Sequence, residues 1–123
     1  MDHLKEIFTA YGVDYDATLW RFAGNMALYL RVLGMLPKDN SLKKLGAAID
    51  SRDLDSAFEA AHTLKGVAGN LGLTPLFEAV HAIVEPLRAR EDRSDYVQLY
   101  TAVQAGYQKA EDFAESLKRV HSL

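Results

Sequence analysis

The chain has 123 residues, a formal charge of −3 and no cysteine. That length fits a single domain over residues 1–123. An acidic balance with no basic stripe argues against nucleic-acid binding, and the lack of cysteine excludes disulfides, thiolate metal sites and thiol nucleophiles. No run approaches the ~20 apolar residues of a membrane span. Charge inside the first apolar turn of MDHLKEIFTA argues against a signal peptide, so a soluble cytoplasmic domain is the expectation.

Apolar residues recur at helical spacing along the chain, and no segment alternates as a half-buried strand would. Residues 2 to 11 form a short amphipathic helix with Leu4, Ile7, Phe8 and Tyr11 on one side, capped by Gly12 and lidding the rest. A long helix follows from an N-cap at Asp14 through Leu19, Phe22, Met26, Leu30 and Leu33 until Pro37 forbids it. A shorter helix spans Ser41 to Ile49. After the turn DSRD, a helix buries Leu54, Ala57, Phe58, Ala61, Leu64, Ala68 and Leu71 and stops at Gly72. Thr74 and Pro75 read as an N-cap with proline at the first helical position. The helix they start carries Leu76, Val80, Ile83, Val84 and Leu87, with Pro86 kinking or shortening its last turns. Beyond a charged loop at 90–95, Tyr96 to Leu117 make the last long helix. Short connections between helices favour antiparallel neighbours. The fold expected is all-α: an antiparallel up-and-down four-helix bundle with one or two short accessory helices.

The stretch AHTLKGVAGNLG at 61–72 sets two glycines inside a helix. On a wheel His62 lies ~120° from the apolar stripe. Lys65, Gly66 and Gly69 follow it at i+3, i+4 and i+7 on the same face. Each mid-helix glycine costs ~1 kcal/mol relative to alanine, so Gly66 and Gly69 call for a compensating reason. One is close approach of a neighbouring helix. The other is clearance around an exposed imidazole that, paired with a fixed cation, accepts an anionic group such as a phosphoryl.

AHTLKGVAGNLG resembles the signature of histidine-containing phosphotransfer domains, in which His-x-x-Lys-Gly surrounds a phosphorylated histidine and a further Leu-Gly closes the pattern. GVDYDATLWRFAGNMALYLRVL is similar to that family's first bundle helix, and DLDSAFEAAHTLKG to its run into the active histidine. The resemblance implies that His62 is the phosphorylated nucleophile, taking a phosphoryl group from a receiver-domain aspartate and passing it to another. Lys65 stabilises charge on the phosphoryl group and Gly66 gives clearance, with Thr63 and Gly69 on the partner face. It implies no cofactor bound by this domain, Mg²⁺ supplied by the receiver, and response-regulator receivers and a hybrid or sensor histidine kinase as partners of a monomer. Thr63 stands where sensor kinases' own dimerisation helices carry an acidic residue, which favours an acceptor-donor role. No Walker-type glycine loop is present, so kinase activity is not expected.

Two rivals merit weighing. EAAH at 59–62 and EAVH at 78–81 would suit a di-iron bundle, but Glu59 and Glu78 lie opposite their apolar stripes and residues 14–36 contain no glutamate. A non-catalytic adaptor of the same fold would have no reason to keep His62, Lys65 and Gly66 in register. His3, His81 and His121 read as surface residues. Trp20, Met26 and Tyr29 read as core, with Trp20 or Tyr29 a docking anchor if exposed beside His62.

Overall fold

A computed structural model describes residues 3–121; Asp2, expected at the start of the first helix, lies outside the described residues. Among these the chain forms α1 (His3–Tyr11), α2 (Tyr15–Arg21), α3 (Met26–Leu33), a 3-10 turn (Leu36–Lys38), α4 (Ser41–Asp50), α5 (Leu54–Asn70), α6 (Thr74–Arg88) and α7 (Tyr96–His121). The all-α class holds. No helix among the described residues is long and apolar enough to cross a membrane.

The bundle proper is α4 to α7. Each packs on the next, and α4 closes back on α7. Neighbours run antiparallel: Arg90, just past α6, reaches Asp55 in the first turn of α5, while Gly69 near the end of α5 lies beside Phe77 near the start of α6. At ~1.5 Å per residue α7 is roughly 39 Å long and α4 only about 15 Å, so α4 cannot cover its partner. The remainder of α7 is covered by the N-terminal elements. Phe113 stacks on Tyr11 at 4.4 Å and meets Phe8 edge-on at 5.1 Å. Tyr107 donates to the Leu36 carbonyl at 2.6 Å.

The single helix expected from Asp14 to Leu36 is instead two short ones, neither of them in the bundle. Asp14 caps as expected, accepting from the Ala17 amide at 2.8 Å. But Ala23 and Gly24 take left-handed backbone, φ 56 and 72, and Asn25 begins a new helix by accepting from the Leu28 amide at 3.0 Å. Gly24-Asn25 is thus a stop and a start, which the unbroken apolar periodicity across it masks. The accessory helices therefore number three, and Ser41–Asp50, read as the minor helix, joins the bundle.

One smaller expectation changes. Thr74 does not cap α6: the cap position falls on Leu73, which is drawn fully into the core, the helix starts at Thr74, one residue earlier than expected, and the Thr74 hydroxyl turns back to the Gly72 carbonyl at 3.5 Å. Pro86 is accommodated in the last turn, and α6 ends two residues on, at Arg88.

Both short helices dock where α5 ends. Tyr29 donates to the Leu71 carbonyl at 2.7 Å. Thr18 is buried against Gly72, where an added Cβ would sit 2.6 Å from its hydroxyl and φ is +68. Only glycine fits that junction. Within α5, Ala57, Ala61, Leu64 and Ala68 face the core as expected, as does Leu71 just beyond it, joined by Ala60; Leu54 and Phe58 are only half-buried.

Candidate functional site: the exposed flank of α5

The segregation of residues along α5 follows from its helical period. With its alanines and Leu64 inward, His62 and Gly66 are exposed and Lys65 half-buried on one flank. Gly66 decides between the two explanations of its presence. A Cβ added there would meet nothing within 4 Å, so no neighbouring helix approaches it, and the position one turn beyond His62 is open. Gly69 is different. An added Cβ would touch Phe77 at 3.4 Å, and the Gly69 carbonyl accepts from Arg21 at 2.6 Å, so packing accounts for this glycine.

Each of the two chemically competent side chains rests on a phenylalanine. The His62 ring stacks on Phe58, one turn earlier, with centroids 5.5 Å apart and planes 20° apart. The Lys65 ammonium lies 5.5 Å from the centre of the Phe77 ring, an attractive cation–π contact from the adjacent helix. Phe77 in turn stacks on His81 at 6.3 Å. Thr63 is exposed but turned to the other flank, where with Ser56, Glu59 and Lys44 it lines a groove between α4 and α5.

Sequence reasoning assigned Phe58 to the core and missed Phe77, Arg88 and Arg90 as neighbours of the site. Phe58 could have been found, since it stands at i−4 from His62; the α6 residues could not, because their role depends on the pairing of helices. Trp20, read as core, is 83% exposed, while Tyr29 is fully buried and Met26 half-buried. His81 is a surface residue, as expected, and so are His3, paired with Glu6 at 3.5 Å, and His121. Glu59 and Glu78 are both exposed, and among the described residues no group of three or more His, Asp or Glu side chains could hold a metal ion.

An exposed imidazole, an ammonium held over a phenylalanine one turn away and an open position at Gly66 thus share one flank of a helix in an all-α bundle. A family model described as Hpt domain matches residues 38–122, and the chain belongs to the Hpt domain family. Members of that family carry out histidine phosphotransfer in phosphorelays and interact with receiver domains and kinases. The matched segment covers the bundle and the His62 flank; α1, α2 and α3 lie outside it. No curated protein and no solved structure matches the chain.

Proposed function

We propose that this chain is a single phosphorelay domain, acting in the cytoplasm as a monomer, in which His62 alternately accepts and donates a phosphoryl group. The observation that carries this is the open position at Gly66 beside an exposed His62. A phosphoryl group and the protein delivering it need room on one side of the imidazole, and that room is present.

In the forward step the lone pair of an unprotonated His62 ring nitrogen attacks phosphorus. As the N–P bond forms, the bond between phosphorus and a receiver's aspartyl oxygen breaks, and the carboxylate leaves with the electron pair. The other ring nitrogen keeps its proton. The reverse step hands the group to a second receiver's aspartate. Charge on the transferring oxygens is countered from this chain by Lys65 and from the receiver by Mg²⁺, whose ligands belong to the partner. Gly69 shares the His62 flank and would fall under a docked receiver, while Thr63, turned toward the groove with α4, would not. A hybrid or sensor histidine kinase consumes the ATP, because phosphotransfer here needs no nucleotide site.

Incubation with a receiver domain carrying ³²P-aspartyl phosphate tests this. Acid-labile label should appear on the wild-type chain and vanish in His62→Gln. Label that survives the substitution would overturn the assignment.

A further inference from the structure

The ring beneath His62 is itself held. Over Phe58 lie two guanidinium groups, that of Arg90 at 4.7 Å from the ring centre and that of Arg88 at 5.2 Å. Arg90 is fixed from several sides. Its Nε donates to Asp55 at 2.6 Å, and its Nη1 donates to the carbonyls of Leu87 at 2.8 Å and Arg88 at 3.2 Å. Its own backbone turns out of α6 with φ 55, and its amide donates a hydrogen bond to the Leu87 carbonyl at 3.0 Å. A continuous set of contacts therefore runs from Asp55 through Arg90 and Phe58 to the imidazole.

We propose that Phe58, clamped by Arg90, is a positioning residue that sets the ring orientation of His62, a role that rests on the assignment of His62 as the phosphoryl acceptor. An exposed histidine on a helix has staggered χ1 wells and a broad, two-fold χ2 to explore. Transfer needs the attacking nitrogen in line with phosphorus at ~3–3.5 Å, so most of those orientations are unproductive. Face-to-face contact with Phe58 selects the ones in which the ring lies flat on its neighbour. The helix is built asymmetrically about the nucleophile: a flat support at i−4, and nothing at i+4, where Gly66 leaves space for the incoming group. If Phe58 were only filling volume, any apolar residue would serve. If it orients a ring, a planar face is required.

The full-length chain is compared as wild type, Phe58→Leu, Phe58→Tyr and Arg90→Ala, with melting temperature as the control for folding. First, side-chain couplings and ring-current shifts of His62 are measured by NMR in the unphosphorylated protein. One dominant rotamer is expected in wild type and Phe58→Tyr, and averaging in Phe58→Leu. Second, transfer from a phosphorylated receiver domain should show kcat lowered about three- to tenfold in Phe58→Leu and about two- to threefold in Arg90→Ala. KM should be unchanged in both, and Phe58→Tyr should retain the wild-type rate. Averaged couplings in wild type, an unslowed Phe58→Leu, or a slowed Phe58→Tyr that is folded would each overturn the proposal. Should Phe58→Leu fail to fold, the Phe58→Tyr and Arg90→Ala pair carries the same comparison. A wild type that takes no label would instead defeat the transfer assignment, while the NMR arm still decides whether Phe58 orders the ring.

Discussion

Arg21 donates a hydrogen bond to the carbonyl of Gly69 across 2.6 Å, joining a short helix outside the matched family segment to the helix that carries His62. The same carbonyl accepts from the Gly72 amide at 3.2 Å, so Arg21 adds a second bond, from another helix, at the end of α5. Replacing Arg21 with alanine should cost about 1 kcal/mol, with faster amide exchange in α2 and little change in α6. Protection of α2 that survives Arg21→Ala would mean that its packing through Tyr15, Thr18 and Leu19 suffices to hold it in place.

Gly66 should separate stability from function. Its surroundings are empty, so Gly66→Ala gains helix propensity without a clash and should stabilise by about 1 kcal/mol, visible as a raised denaturant midpoint at unchanged slope. Gly66→Phe should also fold, yet block transfer, because the ring would occupy the space one turn beyond His62. Rapid labelling of Gly66→Phe would remove clearance as the reason for this glycine.

For Lys65, removal of one fixed donor near a developing anion commonly lowers rates by 10²–10³, and Lys65→Ala should slow labelling of His62 by at least about tenfold with the fold retained. Lys65→Arg is informative as well. A guanidinium can also lie over Phe77, but its charge is spread over a plane, so only partial rescue is expected. Equal rates in all three proteins would reduce Lys65 to a surface cation.

Burial of phenols sets the alkaline limit. Tyr11 and Tyr107 are pushed up to about 12 by desolvation, and Tyr29, the most deeply buried, further still. Above the ordinary phenol value of ~10 the unfolded chain releases protons that the native protein keeps. The unfolded state then binds fewer protons, and stability falls as pH rises. The phenol contribution should be level below pH ~10 and decline progressively toward pH ~12. Urea titrations at stepped pH measure this, and the decline should be shallower in Tyr107→Phe. An identical slope in that variant would exclude Tyr107 from the effect.

The same tyrosines differ in what their hydroxyls do. Tyr107 is bonded to Leu36, so Tyr107→Phe should cost about 1 kcal/mol at neutral pH. The Tyr11 hydroxyl is buried with no hydrogen-bond partner, so Tyr11→Phe should be neutral or stabilising. Denaturant midpoints decide between them, and a large loss in Tyr11→Phe would point to a water bonded there.

What could be read from the chain in advance was whatever is encoded locally. The caps at Gly12 and Asp14, the inward alanines of α5 and the outward flank with His62, Lys65 and Gly66 all follow from spacing within one helix. The break at Gly24-Asn25 was missed because Leu19, Phe22, Met26 and Leu30 keep helical period across it, and periodicity outweighed a short stop-and-start signal. Phe77 under Lys65 and Arg90 over Phe58 were illegible for another reason. Both contacts join α5 to residues of α6 or just past it, and a single helical wheel carries no information about which residue of the next helix arrives opposite.

Trp20 is the chain's sole tryptophan and stands almost fully in solvent on α2. Its indole already experiences water in the native state, so emission near 350 nm should barely move when the protein unfolds. A melt followed by tryptophan fluorescence would therefore look featureless for a cooperatively folded protein. The same property makes the native signal quiet, so that any shift to shorter wavelength, or any loss of quenching by iodide, reports something covering α2 rather than a change in the fold beneath it.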